Sequence, residues 1–181
     1  VFGAVTVTLW GLANQPVPEP EWPTRIQGFA FSPYHADQDA VAGDFPSVKQ
    51  IEDDLVLLKD RTRSIRTYTT DGTIGEVPAL AQKHQIKVAL GAWIDARFAH
   101  NATEIERAIR LARRHDNIIR LIVGNEVILR GDLPLSALTA YLDRVRTAVK
   151  QPVSTAEPWH VWLRHPELAE HVDYLARVQR C

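Results

Sequence analysis

Short apolar runs, each followed by a segment of helical periodicity, recur along the chain from residue 26 and constrain the fold most. Their apolar residues do not alternate with polar ones, which is typical of strands buried on both faces of a parallel sheet. The runs occupy residues 26–34, 64–70, 86–94, 118–127 and 152–159, and a sixth begins at 172. Because helical segments separate the runs, we predict an α/β fold.

Three pairs of residues have the spacing of a capping box, in which a Ser or Thr and a Glu or Gln three residues later satisfy the first N–H groups of a helix. The pairs are Ser47 with Gln50, Thr73 with Glu76 and Thr103 with Glu106. Apolar residues follow the first pair at helical spacing, at Val48, Ile51, Leu55 and Leu58. We therefore predict that helices begin just after Ser47, Thr73 and Thr103.

Two architectures fit this order, a doubly wound open sheet and an eight-stranded barrel. A nucleotide-binding open sheet needs a Gly-rich turn after its first strand, and residues 31–43 offer none. In a barrel, side chains at the carboxyl ends of the strands converge on one site. Here those ends carry Tyr34, Arg66 with Tyr68, Trp93 with Asp95, Asn125 with Glu126, and Glu157 with Trp159. Aromatic rings beside carboxylates suit a sugar, and we favour the barrel.

The composition excludes several classes of function. A net charge of -1 over 181 residues indicates neither a nucleic acid partner nor an acidic one. The single cysteine, Cys181, excludes an internal disulfide and a Cys-based zinc site. The other candidate metal ligands lack the spacing of a metal site, and they are Asp37, Asp39, His160, His165 and His171. We therefore predict no metal, no cofactor and no nucleic acid.

The first 25 residues differ from the rest of the chain. Residues 1–14 are mostly apolar, too short a run to span a bilayer alone, and we interpret them as the end of a membrane anchor or signal segment. A buried first strand is the alternative. Residues 15–25 form a Pro-rich linker, with prolines at 16, 18, 20 and 23, which disfavour helix. The domain itself is predicted to occupy residues 26–181.

Four short motifs together resemble glycoside hydrolase family 17, the β-1,3-glucanase family of (β/α)8 barrels. They are RTY at 66–68, VALGAW at 88–93, VGNEV at 123–127 and VSTAEPW at 153–159. The resemblance is to the bacterial branch, whose membrane-anchored domains act as β-1,3-glucan transglycosylases or hydrolases. It implies a β-glucan substrate and a location on the periplasmic or extracellular side of a membrane. It also implies that Glu126 is the general acid/base and that Asn125 binds the sugar 2-hydroxyl.

The remaining candidate site residues are assigned roles around Glu126. Tyr34, Tyr68 and Trp159 are expected to line the sugar subsites, and Arg66 to support the acid or its neighbours through charge-assisted hydrogen bonds. Glu157 is expected to lie near the acid, although the resemblance gives it no nucleophile role. A plain strand-end carboxylate paired with Arg130 is the structural alternative for Glu126.

The resemblance implies a nucleophile at the end of a seventh strand, whereas this sequence departs from the family within the sixth, at RVQRC, 177–181. We therefore expect a partial barrel, with about the first six strands, that lacks the nucleophile and is inactive alone. The alternatives are a non-catalytic β-glucan-binding remnant and a retaining glycosidase of other linkage specificity. The sequence leaves hydrolysis and glycosyl transfer open, because both proceed through one covalent intermediate.

Overall fold

The computed structural model of the protein describes residues 2–15, 21–40 and 42–178. Six parallel strands form one sheet whose spatial order follows the chain. The strands are β1 (Phe29–Ala30), β2 (Ser64–Arg66), β3 (Lys87–Ala92), β4 (Ile118–Asn125), β5 (Val153–Glu157) and β6 (Ala176–Arg177). The helices are α1 (Phe2–Ala13), α2 (Val48–Leu58), α3 (Val77–Lys83), α4 (Phe98–Arg114), α5 (Val127–Arg130), α6 (Leu135–Ala148) and α7 (Trp159–Arg164), with 3-10 helices at Gly72–Glu76 and Pro166–His171. The predicted α/β class is confirmed.

One face of the sheet packs against the helices and forms the hydrophobic core. Ile65, Val88 and Leu121 project into this core from consecutive central strands and are almost fully buried. Ile51 of α2 and Leu142 of α6 cover them, and both are fully buried. Because the strands are parallel, a helix must carry the chain back between them, and these helices supply the covering layer.

The other face of the sheet carries a lateral row of alternating small and large residues. Ala30, Arg66, Ala89 and Arg120 pair in register across β1 to β4. Since side chains alternate between faces along a strand, this row lies opposite the core residues Ile65, Val88 and Leu121 of the same strands. A (β/α)8 barrel fills its interior with layers of large side chains that come from every second strand.

The strands are shorter than the apolar runs that predict them. The run 26–34 gives only β1 and an isolated bridge from Ile26 to Thr62, because an edge strand pairs on one side and Pro33 has no N–H to donate. The run 118–127 ends as a strand at Asn125. Glu126 there adopts left-handed backbone angles, and α5 begins at the next residue.

One of the three predicted helix caps is confirmed. Ser47 and Gln50 form the capping box that begins α2, with both reciprocal hydrogen bonds present. The second is wrong, because the side chain of Asp71 caps the 3-10 helix Gly72–Glu76 and the Thr73 hydroxyl instead donates to Pro46 O at 2.6 Å. The third is also wrong, since α4 begins at Phe98 and Thr103 lies inside it.

The first described segment is a helix, so the alternative of a buried first strand is wrong. Large apolar side chains of α1 are exposed on several sides, among them Val7, Leu9, Trp10 and Leu12. Across the described ranges, no helix combines the length and the apolar character that crossing a membrane requires. Residues 16–20, with three of the four prolines of the predicted linker, lie outside the described residues.

Candidate active site

Glu126 lies at the carboxyl end of β4 in a backbone conformation that non-glycine residues rarely adopt. Its φ is 57° and its ψ is 32°. The Glu126 N–H donates to Ala156 O of β5 at 2.7 Å, and Arg130 N–H donates to Glu126 O at 2.8 Å. The residue is only 9% exposed. Left-handed non-glycine residues persist where surrounding contacts enforce them, and they cluster at functional sites.

Gly124 makes this sharp turn available. Its φ is 81°, and a Cβ at this position would lie 2.5 Å from Cγ2 of Val127. A side chain here would therefore carry both the strain of a left-handed backbone and a clash with the first residue of α5. The sequence Gly124-Asn125-Glu126 thus turns the chain abruptly from β4 into α5 and leaves the two polar side chains at the rim of the sheet.

Asn125 is oriented by Arg66, as the sequence predicts that Arg66 supports a neighbour of the acid. The Arg66 guanidinium donates to Asn125 Oδ1 at 2.7 Å. Its Cζ also lies 4.8 Å from the centre of the Tyr68 ring. Because Oδ1 is occupied by a cation, the Nδ2 amino group of Asn125 remains as the donor for a ligand hydroxyl.

Arg130 braces the same turn from the other side. It donates to the backbone oxygens of Asn125 and, at 2.9 Å, of Ile94. It also pairs with Asp132, with 2.7 Å between Nε and Oδ2, and its Cζ lies 4.5 Å from the centre of the Trp93 ring. This arginine therefore ties the end of β3 to the end of β4.

Glu157 is a buried support beneath the turn. It is fully buried, and its carboxylate accepts from Ile128 N at 2.9 Å and Leu129 N at 3.4 Å. Burial raises the pKa of Glu157, with a further rise from the charge of Glu126, against the lowering effect of the two N–H donors and of Arg130. Glu157 lies beside the turn that carries Glu126, and its hydrogen bonds fit capping of α5 instead of direct contact with a sugar.

A cavity of about 740 Å³ lies at the carboxyl ends of β1, β2 and β3. Its walls include the aromatic rings of Tyr34, Phe45, Tyr68 and Trp93. Two of these rings are connected to the turn at Asn125 and Glu126, because Tyr68 contacts Arg66 and Trp93 contacts Arg130, and both arginines donate to Asn125. The volume is in the range of small-molecule sites. The structure thus brings Tyr34 and Tyr68 into one cavity, and Arg66 connects Tyr68 to Asn125.

Trp159 lies apart from this cavity, among the residues that follow β5. It is 60% exposed, and its ring meets that of His160 edge-on at 5.8 Å between centroids. An exposed indole at the mouth of β5 can stack on a sugar, but the described contacts place it with His160 and not with the other predicted aromatic residues.

Two carboxylates missed as site residues also border the cavity region. The hydrogen bond that Arg97 donates to Asp95 lowers the pKa of this carboxyl group to about 2, although burial acts in the opposite direction. Trp93 Nε1 donates to the same carboxylate at 3.1 Å. The bond from Arg107 likewise lowers the pKa of Asp71. Asp71 directly follows a strand run, so the strand-end rule that found Glu126 could have found it.

Other cavity residues gave no sequence signal. Phe45, Arg97 and His100 line the cavity from connecting segments and from the start of α4, where neither periodicity nor a motif marks them. No group of three or more metal-binding side chains is found in the described part of the chain.

Comparison with known proteins gives relatives that are named as glucosidases. The probable family 17 glucosidase SCW4 of Saccharomyces cerevisiae is 26% identical over 156 residues, which is 83% of this chain and 39% of that protein. A glucan 1,3-beta-glucosidase of Schizosaccharomyces pombe is 34% identical over 121 residues, 60% of this chain and 37% of that protein. The chain therefore spans about two fifths of the length of these relatives.

A solved structure shows the same architecture. An active-site mutant of the Rhizomucor miehei beta-1,3-glucanosyltransferase, in complex with laminaritriose, matches with a TM-score of 0.71 and 25% identity, over 85% of this chain and 57% of that one. A second structure, of the glycoside hydrolase family 17 beta-1,3-glucanosyltransferase from Rhizomucor miehei, matches with a TM-score of 0.70. These matches confirm the expected partial (β/α)8 barrel and the resemblance to family 17. The BtgE/BtgC glycoside hydrolase domain matches residues 28–177, and the chain belongs to that family.

Proposed function

We propose that the chain forms the acid/base side of a retaining glycoside hydrolase or transglycosylase that acts on β-1,3-glucan. One observation carries the proposal: Glu126 is held in a left-handed turn at the end of β4, and two arginines connect this turn to an aromatic cavity. Arg66 and Arg130 both donate to Asn125, and they lie over the rings of Tyr68 and Trp93 that line the cavity. The relatives that act on β-1,3-glucan, and the laminaritriose complex of a structurally similar enzyme, support the substrate.

In this proposal, Glu126 protonates the glycosidic oxygen as the bond to the leaving sugar breaks. Asn125 Nδ2 then donates to the 2-hydroxyl of the sugar being cleaved, because Arg66 occupies Oδ1. Hydrogen bonds to this hydroxyl strengthen as the oxocarbenium-like transition state forms. The rings of Tyr34, Tyr68 and Trp93 offer apolar faces to the C–H faces of neighbouring glucosyl units.

Retaining chemistry needs a second carboxyl group about 5 to 5.5 Å from the acid. Glu157 is fully buried with its carboxylate bound to two backbone N–H groups, so it is not placed to attack a sugar. We propose that the nucleophile belongs to a seventh strand of the whole protein, as the family 17 resemblance implies, and that residues 1–181 alone do not turn over glucan.

The test is turnover by Glu126→Gln in the whole protein. General acid catalysis contributes about 10²–10⁴-fold, so turnover of laminarin should fall by that factor. Circular dichroism and the thermal midpoint should be unchanged. Glu167→Gln, at an exposed position, is the matched control and should keep full activity. Normal laminarin turnover by Glu126→Gln would show that the acid is elsewhere.

Substrate panels extend the same test. Turnover of β-1,3-linked but not β-1,4- or β-1,6-linked glucans supports the linkage assignment, and the reverse contradicts it. Products longer than the substrate indicate glycosyl transfer, whereas shorter products alone indicate hydrolysis, because a sugar or a water molecule can accept from the same intermediate.

A non-catalytic β-glucan-binding domain is the second candidate, favoured by the burial of Glu157, whose carboxylate is bound to two backbone N–H groups and does not reach a sugar. The aromatic cavity serves binding in either case. Laminaritriose binding without turnover in the whole protein would select this candidate. Isothermal titration calorimetry measures the affinity for laminaritriose directly, and cellotriose is the control for linkage.

We further propose that α1 attaches the protein to a membrane, with the glucan site on the periplasmic or extracellular side. The support is its composition: the helix carries no charged residue, and its large apolar side chains are exposed on several sides. A helix that is apolar all round needs an apolar environment on all sides. Trp10 fluorescence in the presence of phospholipid vesicles tests this, with a blue shift expected, and an unchanged spectrum would contradict attachment.

A further inference from the structure

Helix α4 carries three polar residues at three-residue spacing, Asn101, Glu104 and Arg107, and each binds a segment that lines the cavity. Residues three apart lie on neighbouring positions of one helix face. Two of the three are essentially fully buried, Asn101 at 0% and Glu104 at 1% exposure. Burying polar groups costs free energy unless each is hydrogen-bonded, so the partners of these side chains reveal what they hold.

Asn101 holds the segment after β3. Its Nδ2 donates to Asp95 O at 2.7 Å, and its Oδ1 accepts from Asp95 N at 3.1 Å. Both backbone groups of Asp95 are thereby fixed to α4. The Asp95 carboxylate in turn accepts from Trp93 Nε1, and the Trp93 ring lines the cavity. The helix therefore sets the position of one aromatic wall.

Glu104 holds the segment after β2. Its two carboxylate oxygens accept from Thr70 N, at 3.0 and 3.2 Å, and from the hydroxyls of Thr69 and Thr70. The residues on either side of this pair, Tyr68 and Asp71, both line the cavity. One buried carboxylate thus satisfies three donors from two consecutive residues between two cavity side chains.

Arg107 completes the hold on the same segment. It donates to Thr70 O at 3.1 Å and to Asp71 Oδ1 at 2.8 Å. The N–H of Thr70 is bound by Glu104 and its carbonyl by Arg107, so neither peptide group next to Thr70 can rotate without breaking a bond to α4. The segment that carries Tyr68 and Asp71 is fixed from one helix.

We infer that α4 is a positioning element for the sugar site and that Glu104 is its central positioning residue. Glu104 acts through Thr69 and Thr70 on Tyr68 and Asp71, and it touches no substrate itself. This inference rests on the proposed function for its readout of sugar affinity. A small displacement of a binding side chain is enough to lose much of its contribution, because such sites depend on preorganisation by their supporting residues.

The experiment compares Glu104→Gln with Glu106→Gln, an exposed position on the same helix that pairs with Arg144. Laminaritriose affinity of the full 181-residue chain is measured by titration calorimetry well below the unfolding temperature of each variant. We expect affinity about tenfold weaker for Glu104→Gln, because the amide group places a donor against the donors of Thr69 and Thr70. Glu106→Gln should bind as the unchanged chain does. Equal affinity for Glu104→Gln would overturn the inference.

A double-mutant cycle separates positioning from a general loss of stability. If Glu104 acts through the Tyr68 segment, Glu104→Gln should cost little further affinity in a Tyr68→Ala background. A full tenfold loss of laminaritriose affinity in the Tyr68→Ala background would show that Glu104 does not act through the Tyr68 segment. Arg107→Gln removes a half-buried side chain of α4 that binds the same segment, and it is the second variant should Glu104→Gln not fold. Unchanged affinity for it would then overturn the inference.

Hydrogen exchange of the Thr70 amide gives a readout that needs no sugar. Its N–H donates to Glu104, so its exchange in Glu104→Gln should accelerate at least about tenfold relative to amides of β4. If the unchanged chain fails to bind laminaritriose, the proposed function is wrong for this chain, and Thr70 exchange alone decides the positioning role. Unchanged exchange in Glu104→Gln would refute it.

Discussion

Removing the carboxylate of Glu157 should lower the free energy of unfolding, because this side chain supports the start of α5. In Glu157→Ala, the N–H groups of Ile128 and Leu129 lose an acceptor that now lies at 2.9 and 3.4 Å. An unsatisfied buried donor costs about 1–3 kcal/mol, and the longer contact belongs at the low end of that range. The site is fully buried, so water does not replace the carboxylate without rearrangement. We expect unfolding free energy to fall by about 2–4 kcal/mol.

Glu157→Gln distinguishes hydrogen bonding from charge. The amide keeps the shape and one acceptor oxygen, so its cost near neutral pH should stay within about 1 kcal/mol. Because burial raises the pKa of Glu157, the folded chain binds its proton more tightly than the unfolded chain does. The stabilisation from this proton is present at low pH and is lost as pH rises from the ordinary Glu value through the raised folded value. Glutamine removes that part of the pH dependence.

Urea unfolding followed by tryptophan fluorescence and circular dichroism, at pH values from 4 upward, measures both effects. Glu167→Ala, at an exposed position, is the control and should change stability by less than about 0.5 kcal/mol. A loss below about 1 kcal/mol for Glu157→Ala would refute the capping role. An unchanged pH dependence in Glu157→Gln would refute the raised pKa.

Three further substitutions test the site. Gly124→Ala should lower the unfolding free energy by at least about 2 kcal/mol, because it adds left-handed strain and a clash with Val127, and a loss under about 1 kcal/mol in urea unfolding would contradict this. Arg97→Ala should raise the pKa of Asp95 from about 2 towards 3.8, which removes the stabilisation that the lowered pKa contributes above this range and with it the loss of that stabilisation as pH falls, and an unchanged carboxyl titration by NMR would contradict it. Arg66→Lys keeps the charge but loses the flat guanidinium over Tyr68, and we expect laminaritriose affinity about tenfold weaker, whereas unchanged affinity would separate Arg66 from the site.

The strand and helix order was predictable because each run combines apolar content with a clear end. Ser47 and Gln50 were correctly interpreted as a cap, since their side chains interact within one turn and need no distant partner. Thr103 and Glu106 have the same spacing, yet they lie inside α4. The true start, after Arg97, has no side-chain cap and so gives no local signal. Tertiary packing fixes that boundary.

Residues whose role depends on long-range partners escaped prediction for the same reason. Glu104 lies in a helix whose other acidic residue, Glu106, is exposed, and the sequence does not say which of the two is buried. The partners of Glu104 lie 34 and 35 residues away. Glu157 was identified from its position at a strand end. Its burial beneath α5 could not be predicted, because it depends on contacts with Ile128 and Leu129, 29 and 28 residues earlier in the chain.

The order of the sheet also bears on how the chain acquires its structure during synthesis. Within residues 21–40 and 42–178, every strand pairs only with the strands that precede and follow it in sequence. Each new strand of the described sheet therefore finds its template already in place as it leaves the ribosome. Local pairing of this kind lowers the entropy lost in loop closure and permits growth from the amino terminus, one strand and one helix at a time.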